Sequence, residues 1–212
     1  MNRWTAVLFL AWPAPAAAQV VLQAGPGYVD RRLLDGAGVE RQAGMMGAAS
    51  IIAGGGAVAV TISGTGGKLT AKSPGTPDAD FAGLTADLTL ALAPWLAVLG
   101  GVGASVYVSP LGGQRWILPR LGVELRAPFA SLPATAYFAG SALLGARTNA
   151  DSPARGGVDV RAGFHTRPDP VGIYAEYHLE RIRFAASSGR QEQRGEIRAG
   201  VRVALLQRRP AP

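Results

Sequence analysis

The chain has 212 residues, which is enough for one domain with a full core. Hydrophobic residues make up 48% of the sequence and charged residues only 17%, which excludes an intrinsically disordered protein, and the lack of cysteine excludes a disulfide framework and a thiolate metal site. The formal net charge of +7 comes mostly from arginines that stand singly, often beside Asp or Glu, so no nucleic-acid partner is expected.

The first eighteen residues have the pattern of a secretory signal peptide. Arg3 precedes an apolar run over residues 6–12, and the alanines at 16–18 offer a small-residue cleavage site. The run is too short to span a bilayer, and prolines follow it directly. We therefore expect export through the secretory pathway, cleavage after Ala18 and a mature chain that begins at Gln19.

The mature chain alternates between apolar and polar residues over long segments. A period of two is clear at 84–92, 120–126, 158–165, 173–180 and 196–205, as expected for strands with two unlike faces. The predicted strands span 20–34, 42–52, 56–64, 80–93, 95–109, 115–127, 133–147, 156–167, 171–185 and 194–206.

A helical membrane protein is the main rival interpretation. Residues 88–108 carry no charge over about the length of a transmembrane helix, and residues 43–67 and 127–146 are also uncharged. Pro94 interrupts the first of these segments, and glycines or prolines interrupt the other two. Because the last third of the chain has no uncharged span at all, the sequence favours strands.

The connections between the predicted strands alternate between short turns and longer polar or glycine-rich loops. Such alternation, with strands longer than those of soluble sheets, is what a meandering transmembrane barrel requires. It places both mature termini on the short-turn side. The short turns are Gly54-Gly55, Ala93-Pro94, 128–132 and 167–170, and the longer loops are 35–41, 64–80, 110–114, 148–156 and 186–193.

This pattern resembles the small porin-like bacterial outer-membrane β-barrel proteins over essentially the whole mature chain. The resemblance implies an all-β, antiparallel up-and-down transmembrane barrel of about 8–10 strands over 19–206, with a short periplasmic tail at 207–212. It also implies an outer-membrane location, a lipid bilayer as partner and periplasmic termini.

The last predicted strand also resembles the final strand of that family. Arg198, Gly200, Val203 and Leu205 match the family's spacing of a polar residue, a glycine and two bulky apolar residues. In the family this signal is recognised by the barrel-assembly machinery during insertion, which is therefore an expected partner. The chain departs from the pattern because Val203 and Leu205 replace the usual aromatics and further residues follow.

The polar faces of the predicted strands would line the inside of the barrel. A barrel of this size is filled by side chains, and both signs of charge occur because an unpaired buried charge is costly. Asp87, His165 and Glu196 are expected to face the same interior. The predicted ion-pair network of the lumen consists of Arg120, Glu124, Arg126, Asp159, Arg161, Glu176, His178, Glu180, Arg198 and Arg202.

The turn positions give an expected register for this network. If 167–170 is the turn, Arg161 lies opposite Glu176, and across the next loop Glu176 lies opposite Arg202. Glu176 would then be the centre of an ion-pair ladder, between these two arginines. The other expected pairs are Asp159 with His178 and Glu180 with Arg198.

Aromatic residues near both ends of the predicted strands suggest interfacial girdles. Basic residues near the outer ends, at Lys68, Lys72, Arg181 and Arg183, could contact anionic lipid headgroups. The predicted interfacial aromatics are Phe81, Trp95, Tyr107, Trp116, Phe129 and Phe184.

The sequence thus predicts an outer-membrane barrel with a structural, surface or minor permeability role, without cofactor, metal or catalytic site. A gated narrow pore, and a secreted soluble barrel that binds a small apolar ligand, are alternatives. An outer-membrane lipid hydrolase is a third, for which a charge-relay set would draw on His165, His178, Asp159, Glu180 and a serine such as Ser187 or Ser188.

Overall fold

The computed structural model describes residues 19–36, 38–149, 154–185 and 189–207. The predicted signal peptide at 1–18 and the tail residues 208–212 lie outside this range. No helix within it is long and apolar enough to cross a bilayer. The strands are β1 (Gln19–Asp35), β2 (Gly38–Gly55), β3 (Val58–Ala71), β4 (Ala79–Ala93), β5 (Leu96–Ser109), β6 (Gly112–Pro128), β7 (Ala134–Leu143), β8 (Arg147–Thr148), β9 (Ala154–Thr166), β10 (Val171–Phe184) and β11 (Gln191–Gln207).

Ten long strands form a closed antiparallel barrel. Each long strand pairs with the next one along the chain, and β1 pairs with β11 over almost its full length, which closes the sheet. The two-residue strand β8 pairs with β6 beside the long connection from β7 to β9. The predicted all-β up-and-down fold is confirmed, with ten strands rather than eight.

The connections define two ends of the barrel. We call the end with the connections 56–57, 94–95, 129–133 and 167–170 the turn end; β1 begins and β11 ends there. The other end, with the connections 36–37, 72–78, 110–111, 144–153 and 185–190, is the loop end.

Four of the predicted long loops are shorter in the structure, and one of them, 186–193, loses its last three residues to β11. Most of 35–41 and 110–114 belongs to strands, which leaves two-residue connections at 36–37 and 110–111. The segment 64–80 contributes residues up to Ala71 to β3. Polar and glycine-rich residues indicated loops here, but the strands continue through them because backbone pairing does not require apolar side chains.

The outer face of the barrel is apolar and the inner face carries the charges. Val201 and Leu205 of β11 are exposed on the outside, whereas Arg202 between them is buried. The exposed apolar side chains are distributed over all sides of the barrel. They include Ile51, Ile62, Leu84, Leu88, Leu121, Val123, Phe138, Val158, Ile173, Tyr177, Ile197 and Val201.

The aromatic prediction is wrong for four of its six residues. Phe81, Tyr107, Trp116 and Phe184 are buried inside the barrel. Phe81 stacks on Tyr107 with ring centroids 5.1 Å apart, and Trp116 meets Phe184 edge-on at 5.4 Å. The other two predicted interfacial aromatics, Trp95 and Phe129, are exposed at the turn end.

The four buried rings belong to an apolar core inside the barrel near the loop end. Val29, Leu69 and Ile182 pack in the same cluster. The rings point inward because each lies an even number of residues from an inward polar side chain of its own strand. Phe81 is six residues from Asp87, and Trp116 is four from Arg120.

The predicted register between β9 and β10 is also wrong. His178 lies opposite Arg161 instead of Asp159, and Glu176 lies opposite Gly163 instead of Arg161. The shift is two residues, because the strands diverge after the pair of His165 with Tyr174 and the connection is centred one residue later than expected.

The register between β10 and β11 differs from the prediction by four residues. Glu176 lies opposite Arg198 instead of Arg202, and Glu180 lies opposite Arg194 instead of Arg198. The polar segment 191–193 was predicted to be loop, but it forms the start of β11. Both shifts are even numbers of residues, so the inward face of each strand is unchanged.

The seam between β1 and β11 brings two backbones unusually close. Gly25 and Pro26 interrupt the pairing between Ala24–Val201 and Gly27–Arg198, and proline has no N–H to donate. A Cβ atom on Gly200 would lie 2.1 Å from the carbonyl oxygen of Ala24. Gly200 is therefore required by the seam itself, and its predicted role in insertion, with Arg198, Val203 and Leu205, stays a prediction.

We expect Gly200→Ala to destabilise the closed barrel by about 1–3 kcal/mol, because the added methyl group forces the seam apart. The measurement is the temperature at which the purified protein loses its heat-modifiable mobility on gels. Gly140→Ala in β7 is the matched control, since a Cβ there meets nothing within 4 Å. Equal transition temperatures for the two variants would contradict the close approach at the seam.

Candidate functional site

The middle of the barrel is filled by eight ionic side chains from five strands, which we call the central cluster. They come from β4, β6, β9, β10 and β11. They point inward because they lie at the alternate positions that form the polar face of each strand. Each member lies within 3.5 Å of a partner of opposite charge. The members are Asp87, Arg120, Asp159, Arg161, His178, Glu180, Arg194 and Glu196.

Asp159 and His178 form the innermost pair. Asp159 has no solvent exposure, and one of its carboxylate oxygens lies 2.5 Å from Nε2 of His178. Nδ1 of the same ring lies 3.5 Å from a carboxylate oxygen of Glu196. Because a carboxylate only accepts hydrogen bonds, a carboxylate facing each ring nitrogen favours the doubly protonated, cationic form of His178.

Two arginines enclose Asp87 and Asp159 from the side. Arg120 donates to both oxygens of Asp87, from Nε at 2.8 Å and from Nη2 at 2.6 Å, in the planar fork that suits a carboxylate. Its Nη1 reaches Asp159 at 3.5 Å. Arg161 approaches the same two carboxylates at 3.5 Å each. The four groups thus form a closed ring of alternating charge.

Arg194 extends the cluster towards the loop end. Its Nε lies 3.0 Å from Glu196 and its Nη2 3.4 Å from Glu180. Its Nη1 donates to the hydroxyl of Tyr107 at 3.2 Å, and its guanidinium faces the ring of Phe81 at 5.2 Å. Arg194 therefore connects the ionic centre to the apolar core above it.

A separate ion pair lies beyond the cluster on the side of the loop end. Arg31 of β1 donates to both carboxylate oxygens of Glu192, at 2.8 and 3.0 Å, and its other donors reach the side-chain oxygens of Gln42 and Gln114. Its guanidinium also lies 4.0 Å from the ring centroid of Tyr107. Every donor group of this arginine side chain therefore has a partner.

A second ion pair lies on the side of the turn end. Arg198 donates to one oxygen of Glu176, and the hydroxyl of Tyr137 donates to the other. Glu176 is thus held by Arg198 and Tyr137, and the expected ladder between Arg161 and Arg202 is wrong. The four-residue change in the pairing of β11 is the reason.

The central cluster and these two pairs together form what we call the ionic plug. In the cluster, Arg120, Arg161, Arg194 and His178 balance four carboxylates, and each flanking pair is neutral by itself. The enclosed space beside the cluster has a volume of only about 30 Å³, enough for one or two water molecules. The middle of the lumen is therefore electrically balanced, with little free space beside the cluster.

Three residues of the predicted network lie outside this plug. Glu124 and Arg126 form their own ion pair of 2.6 Å nearer the turn end and are partly exposed. Arg202 is buried, but none of the ion pairs among the described residues includes it. The remaining predicted network residues, with Asp87 and Glu196, all belong to the plug.

Sequence reasoning missed several members of the site. Arg31 was missed because the alternation of residues 20–52 is weak, and Glu192 because it stood in a predicted loop. Arg194 is at the first position of a predicted strand, where no face was assigned. Tyr107 lies at an inward-facing position of β5, and Tyr137 lies between the outward-facing Ala136 and Phe138 of β7. The alternation of inward and outward residues could therefore have identified both tyrosines.

The cluster also contains a group of potential metal ligands. Single ligand atoms of Asp159, His178 and Glu180 lie within 4.8 Å of one another. All three already contact cations or, in the case of His178, carry the positive charge themselves. A divalent cation would have to displace these contacts in a site that is already neutral, so the donor set does not fit a metal.

Comparison with known proteins identifies the fold. No protein-family model and no curated protein matches the chain. Among solved structures, the outer membrane protease OmpT from Escherichia coli matches with a TM-score of 0.54 at 11% identity, over 92% of this chain and 98% of that one.

Two Neisserial structures match at lower similarity. The translocator domain of the autotransporter NalP from Neisseria meningitidis has a TM-score of 0.48 at 14% identity, over 87% of this chain and 88% of that one. Neisserial surface protein A has a TM-score of 0.40 at 14% identity, with 87% and 96% covered. The match to the protease, together with the closed ten-stranded sheet, shows that this chain has the fold of the bacterial outer-membrane β-barrel proteins.

Proposed function

We propose that this protein is an outer-membrane β-barrel whose lumen is closed, with a structural or surface role, no open channel and no catalytic activity. The observation that carries the proposal is the ionic plug, because its paired side chains fill the middle of the lumen. The fold, the apolar outer face and the expected signal peptide support export to the outer membrane with both termini in the periplasm.

The distribution of polarity supports a lipid environment over the soluble alternative. A secreted barrel that binds an apolar ligand needs an apolar cavity and a polar outer wall. Here the middle of the inside is ionic, and the outside carries exposed Leu, Ile or Val on nine of the ten long strands and Phe138 on β7. In hydrocarbon this arrangement is favourable, because the closed sheet satisfies all its backbone groups internally.

A row of arginines on the outer wall supports anionic lipid headgroups as partners. Arg41, Arg32, Gln193 and Arg181 lie side by side across β2, β1, β11 and β10. Asp30 pairs with Arg32 at 3.1 Å and with Arg41 at 2.6 Å, which leaves a net positive row. Like charges on adjacent strands are unfavourable unless counter-charges are present, and lipid phosphates at the membrane surface supply them.

We expect anionic lipid to stabilise this protein through the arginine row. In phosphatidylcholine vesicles, adding phosphatidylglycerol should raise the melting temperature of the wild type more than that of the double variant Arg32→Gln/Arg181→Gln. Arg115→Gln/Arg147→Gln, two exposed arginines outside the row, is the matched control. An equal rise in all three proteins would contradict specific headgroup contacts.

The lumen should not conduct ions while the plug is intact. We expect the wild type to show no conductance steps in planar bilayers, and Asp87→Ala/Arg120→Ala to show them, because this change removes a fully buried pair and opens the middle of the lumen. Glu124→Ala/Arg126→Ala removes a pair outside the plug and should leave the barrel closed. Steps of equal size in the wild type would contradict the proposed closure.

A minor permeability role is the second candidate function. The small cavity beside the central cluster is lined by Arg161 and Arg198, whose Nε–H groups have no acceptor among the described atoms. These donors favour bound water, and a permeation path for ions or small solutes through the lumen requires water. The conductance measurement separates this candidate from a closed plug.

We also propose that the barrel is not an enzyme. A general base needs a free ring nitrogen, and both nitrogens of His178 already face carboxylates. His165 has no carboxylate partner among the described ion pairs, so no orienting acid is in place. Ser187 and Ser188 lie outside the described residues.

We therefore expect phospholipid turnover by the purified wild type to equal that of His178→Ala, at the level of a protein-free control. Liberated fatty acid measures the turnover. His165→Ala serves as the second variant, because it removes the other histidine without touching the plug. Turnover that is present in the wild type and lost in either variant would contradict the proposal.

A further inference from the structure

A cavity at the turn end contains a buried cation without a counter-charge. The cavity has a volume of about 480 Å³ and lies between the connections 129–133 and 167–170 and the start of β1. Its size is within the range of small-molecule sites. We propose that it binds an anionic amphiphile, meaning one oxyanion group attached to an apolar chain, with Arg202 as the anchor of the oxyanion.

Arg202 is the residue whose unpaired charge indicates a ligand. It is 7% exposed, and its only hydrogen bond among the described residues runs from Nη1 to the carbonyl oxygen of Thr166 at 3.3 Å. Its Nε–H has no acceptor, and Nδ1 of His165, which also lines the cavity, is unpartnered as well. A buried guanidinium with an unused donor and no counter-charge is costly unless an acceptor is supplied.

The barrel itself does not supply this acceptor. The ionic plug is neutral without Arg202, since its five arginines and the His178 imidazolium match six carboxylates. Glu124 nearer the turn end is taken by Arg126, and Glu176 by Arg198. Arg202 is thus the one cation left over inside the described barrel strands, and its counter-charge has to come from outside them.

The remainder of the cavity is suited to an apolar chain. Val21 of β1 is buried against it, and prolines at 128, 133 and 168 form much of its wall. Phe129 and Leu132 line its rim, and Leu132 is 61% exposed. A bare phosphate would satisfy Arg202 but leave this apolar wall uncovered. An acyl chain carrying a carboxylate or a phosphate satisfies both.

The two sources of such a group are a free fatty acid and a phospholipid of the surrounding leaflet. The test uses the purified full-length protein in phosphatidylcholine nanodiscs, with the melting temperature of the β-sheet as readout. Laurate, dodecanol and inorganic phosphate are added separately at equal concentration, and phosphatidylglycerol is incorporated in a fourth arm. Dodecanol has the chain without the charge, and phosphate has the charge without the chain.

We expect laurate to raise the melting temperature of the wild type by roughly 5–10 °C at about one hundred times its dissociation constant. Dodecanol and phosphate should give less than a third of that rise. Arg202→Gln should abolish the response to laurate, whereas Arg147→Gln, an exposed arginine at the loop end, should retain it. Leu132→Gln should weaken the response at least threefold.

The four additions also distinguish a phospholipid from a free fatty acid as the ligand, and they define the results that would overturn the proposal. If the rise with phosphatidylglycerol is smaller in Arg202→Gln than in the wild type, the phospholipid headgroup occupies the site; if only the laurate rise differs, a free fatty acid does. Equal responses to laurate and dodecanol in the wild type, or to laurate and phosphate, would overturn the proposal without any variant. So would an unchanged laurate response in Arg202→Gln.

Discussion

The closure of β1 onto β11 is the constraint on which the rest of the structure depends. In hydrocarbon no water is present to satisfy a free strand edge, so a sheet survives there only when its last strand pairs with its first. The two strands pair from Gln19–Gln207 to Leu34–Gln191. The price of this closure is local, at Gly25 and Gly200, where only glycine permits the approach of the two backbones.

Closure then determines what the interior can contain. A ten-stranded ring encloses a narrow space, and the alternation of the strands sends every second side chain into it. Because the outward positions are given to apolar residues, the charges collect inside, where an unpaired one is costly. The solution in this chain is a stack of neutral units: the pair of Arg31 and Glu192, the central cluster, and the pair of Arg198 and Glu176.

The sequence predicted the faces of the strands far better than their partners. The period of two assigns Arg120 or Glu176 to the inside whatever the register is, and a shift by an even number of residues keeps that assignment. The register depends on where a turn is centred, and the polar segment 191–193 gave no sign that it belongs to β11. For the buried rings the signal was present but was not used. Phe81 and Trp116 lie an even number of residues from inward polar side chains of their own strands, which predicts that they point inward. Their positions near strand ends suggested the membrane surface instead.

The apolar core at the loop end has a consequence for the ions beneath it. Phe81, Tyr107, Trp116 and Phe184 lie between the central cluster and the aqueous side of the loops. They form an apolar barrier, which hinders the approach of dissolved ions to the guanidinium and carboxylate groups from that direction. Salt screening, which weakens ion pairs on ordinary protein surfaces, is therefore reduced for the central cluster on the side of the loop end.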